Sequence, residues 1–250
     1  MHSKILTQFK KFALNLLFPI ECLGCGREGL WLCQDCLRRL RFGTDKKTDG
    51  NEKKYNNLKT PALDKIYIAG DYDDTLLADM IKKFKYHFVS SLGKPLANFL
   101  SLYWSGQLAL TDLHNHYDHN DVQTSGLTED PGDNKDIPLI IPIPLSKKRR
   151  RWRGFNQAEL LAHEFAANFS YPVSDGLKRI KHGRAQASLN ETERLNNLFG
   201  AFVYRGPSLN GRTIILIDDV ATTGATLNEA ALALRAKGAK IIYGLVLAKG

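Results

Sequence analysis

One segment in the C-terminal half of the chain constrains the fold most, because an apolar run there leads into two acidic residues and a turn rich in threonine. It reads Ile-Ile-Leu-Ile-Asp-Asp-Val-Ala-Thr-Thr-Gly-Ala-Thr from Ile214 to Thr226. The apolar run is typical of a buried strand, and the residues from Ala225 to Lys237 have the spacing of a helix that Gly238 ends. A buried strand that delivers polar side chains to the start of a helix is typical of open α/β sheets, in which ligands bind at that end of the strands.

Apolar periodicity along the rest of the chain predicts the same class of fold. The pattern predicts strands that begin near Leu63 and Ile137, helices over Leu76–Phe84, Val89–Trp104 and Phe155–Phe169, a strand over Thr213–Ile217 and a last strand over Lys240–Ala248. Because strands and helices alternate, we expect a doubly wound α/β core around a mostly parallel sheet.

The turn that follows the acidic residues carries groups suited to an anion. Thr222, Thr223 and Thr226 supply hydroxyl groups. The backbone N–H groups between Ala221 and Ala225 point to the same place in such a turn, and the dipole of the following helix adds attraction. Gly224 lets the backbone approach a ligand closely. We therefore expect this turn to hold a phosphate group.

The two carboxylates before the turn need a different partner, because Asp218 and Asp219 would repel a phosphate beside them. They suit the hydroxyl groups of a sugar, which donate hydrogen bonds, or a Mg²⁺ ion that bridges to the ligand. The alternative is an ordinary strand-to-helix turn that a threonine caps, with solvated acidic side chains. A cap needs one hydroxyl and no carboxylate pair, so we favour a ligand that carries both sugar hydroxyls and phosphate.

All four cysteines lie close together near the N-terminus, at Cys22, Cys25, Cys33 and Cys36. Two CxxC pairs at this spacing place four thiolates tetrahedrally around Zn²⁺ at about 2.3 Å. The alternatives are a pair of disulfides or a redox CxxC motif, but neither a secretion signal nor a thioredoxin-like context accompanies them. Since protein occupies all four positions, the predicted zinc site is structural and closed to catalysis.

The chain of 250 residues, of which 43% are apolar, is long enough for one sizeable core and a small additional module. Residues 1–42 form the predicted zinc module, with a short helix over Leu37–Leu40. The polar residues 43–62 predict a linker. Residues 63–250 form the predicted α/β domain, with a long exposed, flexible insertion over residues 106–136.

The first residues of the chain have some features of a secretion signal. However, Asn15 and Pro19 interrupt the apolar run and no small-residue cleavage site follows it. We therefore interpret Lys4–Ile20 as a short amphipathic helix. Because no run of apolar residues is long enough to span a bilayer, we expect a cytoplasmic protein.

The positive charge of the chain favours anionic partners. It has 35 lysine and arginine residues against 26 aspartate and glutamate residues, a formal net charge of +9. The run Lys147–Arg153 is basic except for Trp152, and its function has three open interpretations. It neutralises a pyrophosphate, it contacts a polyanion such as single-stranded DNA or an anionic membrane surface, or it is a solvated face. Trp152 and Phe155 are able to stack on bases, although a single tryptophan beside a helix start more often packs.

The segment from Ile214 to Thr226 resembles the 5-phosphoribosyl 1-pyrophosphate (PRPP) signature of type I phosphoribosyltransferases. Other parts of the chain resemble the ComF family, also called GntX, of phosphoribosyltransferase-like proteins linked to bacterial competence. These parts are the four-cysteine module, Ile81–Tyr86, Ile141–Gln157 and Glu193–Asn197. The resemblance implies a type I phosphoribosyltransferase fold with a small zinc-ribbon-like module at the N-terminus.

The resemblance also implies roles for individual residues. Asp218 and Asp219 would contact the ribose and take part in catalysis, and Thr222–Thr226 would bind the 5′-phosphate. Pro144–Lys148 would lie near the pyrophosphate, and Lys178–Asn197 would be a mobile flap. The implied PRPP-binding residues are Asp218, Asp219, Ala221, Thr222, Thr223, Gly224, Ala225, Thr226, Ser146, Lys147 and Lys148. The polar and basic residues of the flap that match the family are His182, Arg184 and Gln186.

Two functions are consistent with these expectations. In the first, the protein is a phosphoribosyltransferase that transfers phosphoribosyl, with Mg²⁺, to a nucleobase or an amine. Pyrophosphate would leave from an oxocarbenium-like ribose, so catalysis needs cations at the leaving group and no covalent nucleophile. In the second, the protein senses PRPP or a nucleotide without turnover and binds single-stranded DNA or proteins of DNA uptake and competence.

Overall fold

The computed structural model describes residues 19–43, 58, 60–110, 137–180 and 200–250. Within these residues the α-helices are α1 (Gln34–Arg39), α2 (Thr75–Tyr86), α3 (Gly93–Leu110), α4 (Lys147–Arg153), α5 (Gln157–Phe169) and α6 (Ala225–Arg235), and a short 3-10 helix spans Ser90–Leu92. The strands are β1 (Lys65–Asp71), β2 (Leu139–Pro142), β3 (Leu177–Arg179), β4 (Phe202–Tyr204), β5 (Thr213–Ala221) and β6 (Ile241–Lys249). Most of the predicted N-terminal helix, insertion and flap lies outside the described residues. Pro19 and Ile20, at the predicted end of that helix, are not helical.

The main sheet has four parallel strands in the order β1-β6-β5-β2. Ile217 of β5 lies opposite Leu245 of β6 on one side and Pro142 of β2 on the other. Because the strands are parallel, the chain that leaves β2 and the acidic residues of β5 meet at the same edge of the sheet. Strands β3 and β4 form a separate antiparallel pair.

Side chains of β5 alternate between two hydrophobic cores, one on each face of the sheet. Ile215 and Ile217 pack with α2, α3 and α5, whereas Ile214 and Leu216 pack with α6 and the β3-β4 pair. Helices on both faces of a parallel sheet define the doubly wound α/β class. The predicted fold class is therefore confirmed.

Two predicted boundaries differ from the observed ones in the α/β part. Strand β5 continues to Ala221, beyond the apolar run that predicted its end at Ile217, because its backbone pairs with β6 as far as Lys249. Helix α3 continues to Leu110, so residues 106–110 are helical at the place where the insertion was predicted to begin. Its last turns are helical because Leu108 packs against the core beyond Trp104, where the helix was expected to end. None of the described helices is long and apolar enough to cross a membrane.

The cysteine-rich segment packs directly against the α/β core. The indole N–H of Trp31 donates a 2.7 Å hydrogen bond to Oγ of Ser91. Leu40 is buried in the same core as α2 and α3, and the ring of Phe42 stacks on Phe99 with 5.2 Å between ring centroids. These contacts connect the segment to the first helices of the α/β part. The boundary at residue 42 between module and linker stays a prediction.

Candidate functional site

Asp218 and Asp219 lie near the carboxyl end of the central strand β5. The backbone N–H of Asp219 donates a 2.8 Å hydrogen bond to Oδ1 of Asp218. Burial and the charge of Asp219 raise the pKa of Asp218 to about 7, although that hydrogen bond and the cations Lys85 and Arg153 act to lower it. Asp219 is 8% exposed, and its Oδ1 lies 3.0 Å from Nζ of Lys85. The two predicted carboxylates are therefore adjacent, mostly enclosed and partly neutralised.

The turn between β5 and α6 ends at Gly224, which is the N-cap of α6 and has the left-handed φ of 77°. Gly224 has no side chain with which to cap the helix. The Oγ1 of Thr223 accepts a long hydrogen bond, 3.4 Å, from the N–H of Ala225. Thr222 is exposed, while Thr223 and Thr226 are partly buried. The turn thus places hydroxyl groups and a helix N-terminus directly after the acidic pair, an arrangement that fits a phosphate.

The motif Arg-Gly-Phe-Asn-Gln from Arg153 to Gln157, which joins α4 to α5, holds neighbouring elements next to β5. The amide Nδ2 of Asn156 donates a 3.0 Å hydrogen bond to the carbonyl of Ile143, in the chain that leaves β2. Arg153 donates to Oε1 of Gln157 at 2.9 Å, and Nε2 of Gln157 donates to the carbonyl of Phe84 at 3.4 Å. These bonds fix the ends of α2 and α4 near the acidic pair. The hydrogen bonds of this motif therefore give it a structural role at the ends of these elements.

Ser146, Lys147 and Lys148 lie at the start of α4, where the chain leaves β2. The Oγ of Ser146 caps the helix by accepting a 3.3 Å hydrogen bond from the N–H of Arg149. Lys147 and Lys148 are exposed. The chain ahead of them adjoins the acidic strand, because the N–H of Ile143 donates to the carbonyl of Ile217 at 2.9 Å.

A cavity of about 690 Å³ lies between the start of α4 and the β3-β4 pair. Five cations and two carboxylates contribute to its lining, and they are Lys147, Arg150, Lys178, Arg179, Arg205, Glu159 and Asp175. Arg150 pairs with Glu159 at 3.3 Å. The charge of Asp218 acts on the guanidinium of Arg179, whose pKa burial lowers. The cavity therefore has an excess of positive charge, so it favours an anionic ligand.

The four cysteines form one cluster in which all four sulfur atoms lie within 4.8 Å of one another. Sγ of Cys25 and Sγ of Cys33 are 3.7 Å apart, and all four thiols are free of disulfides. Sulfur atoms at the corners of a tetrahedron around zinc are about 3.8 Å apart, whereas a disulfide bond is about 2.05 Å long. Backbone N–H groups of Cys33 and Cys36 donate to Sγ of Cys22 and Cys33, respectively, which suits thiolate ligands. The cluster is therefore compatible with a structural zinc ion.

The short helix after the second cysteine pair begins earlier than predicted. It was expected over Leu37–Leu40, whereas α1 spans Gln34–Arg39. Cys33 is its N-cap, and the Sγ of this residue accepts the N–H of Cys36. A cysteine sulfur therefore caps the helix here, which the polar and apolar pattern does not report.

The chain is similar to a known protein along most of its length. Residues 153–250 match the phosphoribosyl transferase domain family. Competence protein F of Haemophilus influenzae is 30% identical over 248 residues, which cover 93% of this chain and 98% of that protein. The chain belongs to the ComF family. Competence protein ComFC of Bacillus subtilis is 44% identical over 100 residues, covering 40% of this chain and 39% of that protein. DNA utilization protein YhgH of Escherichia coli K12 is 34% identical over 104 residues, covering 41% of this chain and 45% of that protein.

Parts of the site of this ComF-family protein lie outside the matched domain. Asp218, Asp219 and Arg153 fall within residues 153–250, but Lys85 and the cysteine cluster do not. The sequence pattern identified the segment that contains Lys85 without giving this lysine a role. The available signal was its position directly after the buried Phe84 in the last turn of α2. A lysine there lies where the apolar face of the helix ends.

Trp152 does not pack in the interior, contrary to what its position beside a helix suggested. It is 59% exposed and lies beside Tyr86, 53% exposed, and Phe88, 43% exposed. The ring centroids are 6.3 Å apart for Tyr86 and Trp152, and 5.5 Å apart for Phe88 and Trp152. The guanidinium of Arg153 lies 5.6 Å from the Tyr86 ring and 5.9 Å from the Trp152 ring. Tyr86, Phe88 and Trp152 form what we call the aromatic patch. Tertiary contacts between α4 and the end of α2, together with the residues just after α2, create it.

Proposed function

We propose that this ComF-family protein binds PRPP with Mg²⁺ and transfers its phosphoribosyl group to a nucleobase or an amine. The observation that supports this most is the placement of Asp218 and Asp219 at the end of β5, directly before the Gly224-capped start of α6. Carboxylates suit the ribose hydroxyls, and the turn suits the 5′-phosphate. One ligand with both groups satisfies the two halves of the site at once.

The acidic pair also fits a bound cation. In the described structure the ammonium group of Lys85 already lies against Asp219, which identifies a position favourable to positive charge. When bound, Mg²⁺ would neutralise charge on the departing pyrophosphate. Asp218 and Asp219 would hold it or the ribose hydroxyls, and they would favour positive charge that develops on the ribose.

The chain after β2 is where the pyrophosphate would lie in this proposal. Ser146, Lys147 and Lys148 begin α4 at the same edge of the sheet as the acidic pair. Lys147 also lines the positively charged cavity, together with Arg179. Cations at that place would stabilise a leaving group that gains negative charge, and no covalent nucleophile is required.

Turnover is tested by incubating the protein with PRPP, Mg²⁺ and panels of nucleobases and amines, and by measuring pyrophosphate release. A transferase releases pyrophosphate with at least one acceptor, and the Asp218→Asn/Asp219→Asn variant does not. Binding of PRPP without release for any acceptor class would contradict turnover and leave the sensing function.

We further propose that the cysteine cluster holds a structural Zn²⁺ through Cys22, Cys25, Cys33 and Cys36. With four protein ligands, the ion has no open position for substrate. Its role would be to hold the segment whose Trp31 contacts the turn before α3.

A second candidate function, binding of single-stranded DNA in competence, is favoured by the aromatic patch and the basic helix α4. Exposed ring faces stack on bases, and the exposed cations of α4 are suited to phosphates. The name of the relative YhgH refers to DNA utilization. The same exposed surface would suit an anionic membrane or a protein of DNA uptake.

Trp152→Ala tests the DNA function. Leu102→Ala is the control, because Leu102 is also an exposed apolar residue, 50% exposed on α3, and does not belong to the aromatic patch. Loss of one stacking residue is expected to weaken binding of an oligothymidine by about tenfold. Affinity should also fall steeply with salt concentration. Equal affinity of both variants and wild type would contradict a role of the aromatic patch.

A further inference from the structure

Lys85 belongs to the site by position, although it lies outside the matched phosphoribosyl transferase segment. It is in the last turn of α2, and its Nζ lies 3.0 Å from Oδ1 of Asp219. The side chains are only 13% and 11% exposed, respectively. An ion pair so enclosed interacts more strongly than a surface pair, because solvent screens it less.

A second ion pair on the same helix has the features of an ordinary surface pair. Lys83 pairs with Asp79 one turn away at 3.8 Å, and these side chains are 32% and 48% exposed. That pair is local and solvated, so it contributes little to stability. Lys85 instead reaches from α2 to a carboxylate on the central strand. Its contact is therefore a feature of the site and not of the helix.

Apolar packing also holds α2 in position, in addition to this ion pair. Leu77, Met80, Ile81 and Phe84 are fully buried on the same helix. Gln157 also donates a hydrogen bond to the carbonyl of Phe84 at the end of the helix. Desolvation offsets much of the attraction in an enclosed ion pair, so the pair adds little net stability beyond the apolar packing that α2 already has.

The ion pair occupies the group that the ligand needs. A ribose hydroxyl or a cation that binds Asp219 competes with the ammonium group of Lys85. Lysine has a flexible four-carbon stem and three N–H donors, so it is able to turn from a carboxylate to a phosphate. The ligand brings phosphates to this same edge of the sheet in the proposed function.

We propose that Lys85 is a ligand-binding residue of this site, which neutralises Asp219 in the free protein and contacts the ligand's phosphates when a cation or the ribose hydroxyls take that carboxylate. This inference rests on the proposed PRPP binding. It assigns to the site a cation from α2, outside the phosphoribosyl transferase segment. The ion pair thus serves as a replaceable partner for the acidic residue.

The test compares Lys85→Met with the control Lys83→Met in two titrations, one with Mn²⁺ alone and one with PRPP and Mg²⁺. Removal of Lys85 frees Asp219, so Mn²⁺ alone is expected to bind about threefold more tightly. The same variant loses a charged contact to phosphate, so PRPP is expected to bind at least about tenfold more weakly. The Lys83 variant should match wild type in both titrations.

Tighter binding of Mn²⁺ together with weaker binding of PRPP is the result expected only if Lys85 both neutralises Asp219 and contacts phosphate. Tighter binding of both probes would show that Lys85 only competes for the carboxylate, which overturns the phosphate contact. Weaker or unchanged binding of both would also overturn it. If Lys85→Met does not fold, Lys85→Arg takes its place, and it should keep PRPP binding within about threefold because the charge remains. Absence of PRPP binding by folded wild type would overturn the proposed function itself, whereas wild-type affinity in Lys85→Met would overturn only the role of Lys85.

Discussion

Gly224 lies directly against Thr60, and a Cβ atom added at Gly224 would be 2.5 Å from Cγ2 of that threonine. The same glycine has a φ of 77°, which side chains disfavour. Two independent restrictions therefore act at Gly224, the residue that ends the turn and caps α6. Residue 60, ahead of β1, supports the turn from the outside.

Gly224→Ala is expected to destabilise the protein by about 1–3 kcal/mol and to weaken PRPP binding, because the turn must shift away from Thr60. The free energy of unfolding and calorimetric affinity measure the two effects. Gly106→Ala is the matched control, since Gly106 is in helix α3 and its added Cβ meets no atom within 4 Å. That change should stabilise by about 0.5–1 kcal/mol. Wild-type stability and affinity in Gly224→Ala would contradict the account of the turn.

The raised pKa of Asp218, about 7, predicts a pH dependence of ligand binding. Below this pH the carboxyl group holds a proton that Mg²⁺ or the ribose hydroxyls must displace, so PRPP affinity should rise from pH about 6 to about 8. Titration of the ligand's own phosphate contributes to the same range in every variant. Asp218→Asn should therefore lose only the part of the pH dependence that comes from the Asp218 carboxyl group. An identical pH profile in Asp218→Asn, measured where binding is still detectable, would contradict the assignment.

The same group affects the stability of the ligand-free protein with a defined sign. Folding raises the pKa of Asp218 from the ordinary value of 3.8 to about 7. The folded protein therefore binds this proton more tightly than the unfolded chain does. The contribution is present at low pH and is lost as the pH rises to about 7. The unfolding free energy of wild type, relative to that of Asp218→Asn, should therefore fall as the pH rises to about 7. A constant difference would contradict the raised pKa.

Zinc at the cysteine cluster is expected at about one ion per chain in protein purified without a chelator. Cys36→Ser should lower the zinc content and the melting temperature together, because a buried ligand is lost. Ser91→Ala is the control, since it removes the partner of Trp31 and leaves the thiols intact. This variant should keep full zinc content, and its free energy of unfolding should fall by about 1 kcal/mol. Wild-type protein with much less than one zinc would contradict the metal site.

The strand, turn and helix from β5 to α6 were predictable from the sequence because a local pattern specifies them. An apolar run, two carboxylates and a glycine with a positive φ follow one another along the chain. The cysteine spacing is local in the same sense, since two CxxC pairs bring four sulfur atoms together over a short segment.

Contacts between distant elements were not predictable in this way. Lys85 reaches Asp219 across 134 residues of sequence, and no pattern in α2 names that partner. Trp152 is exposed because its neighbours, Tyr86 at the end of α2 and Phe88 just after it, are themselves surface residues. Strand β5 extends past its apolar run because β6 continues to pair with it. In each case a tertiary contact decided the outcome, which sequence periodicity does not report.

The measurement that tests the central claim most directly is calorimetric titration of PRPP with Mg²⁺ into wild type, into Asp218→Asn/Asp219→Asn and into Asp79→Asn. Asp79 is the control because it pairs with Lys83 on the surface of α2. Wild type and Asp79→Asn should bind equally, while the double variant should remain folded and lose at least about 100-fold in affinity, since both groups that suit the ribose or the cation are gone. Wild-type affinity in the folded double variant, or no binding by folded wild type, would contradict a PRPP site at the acidic pair.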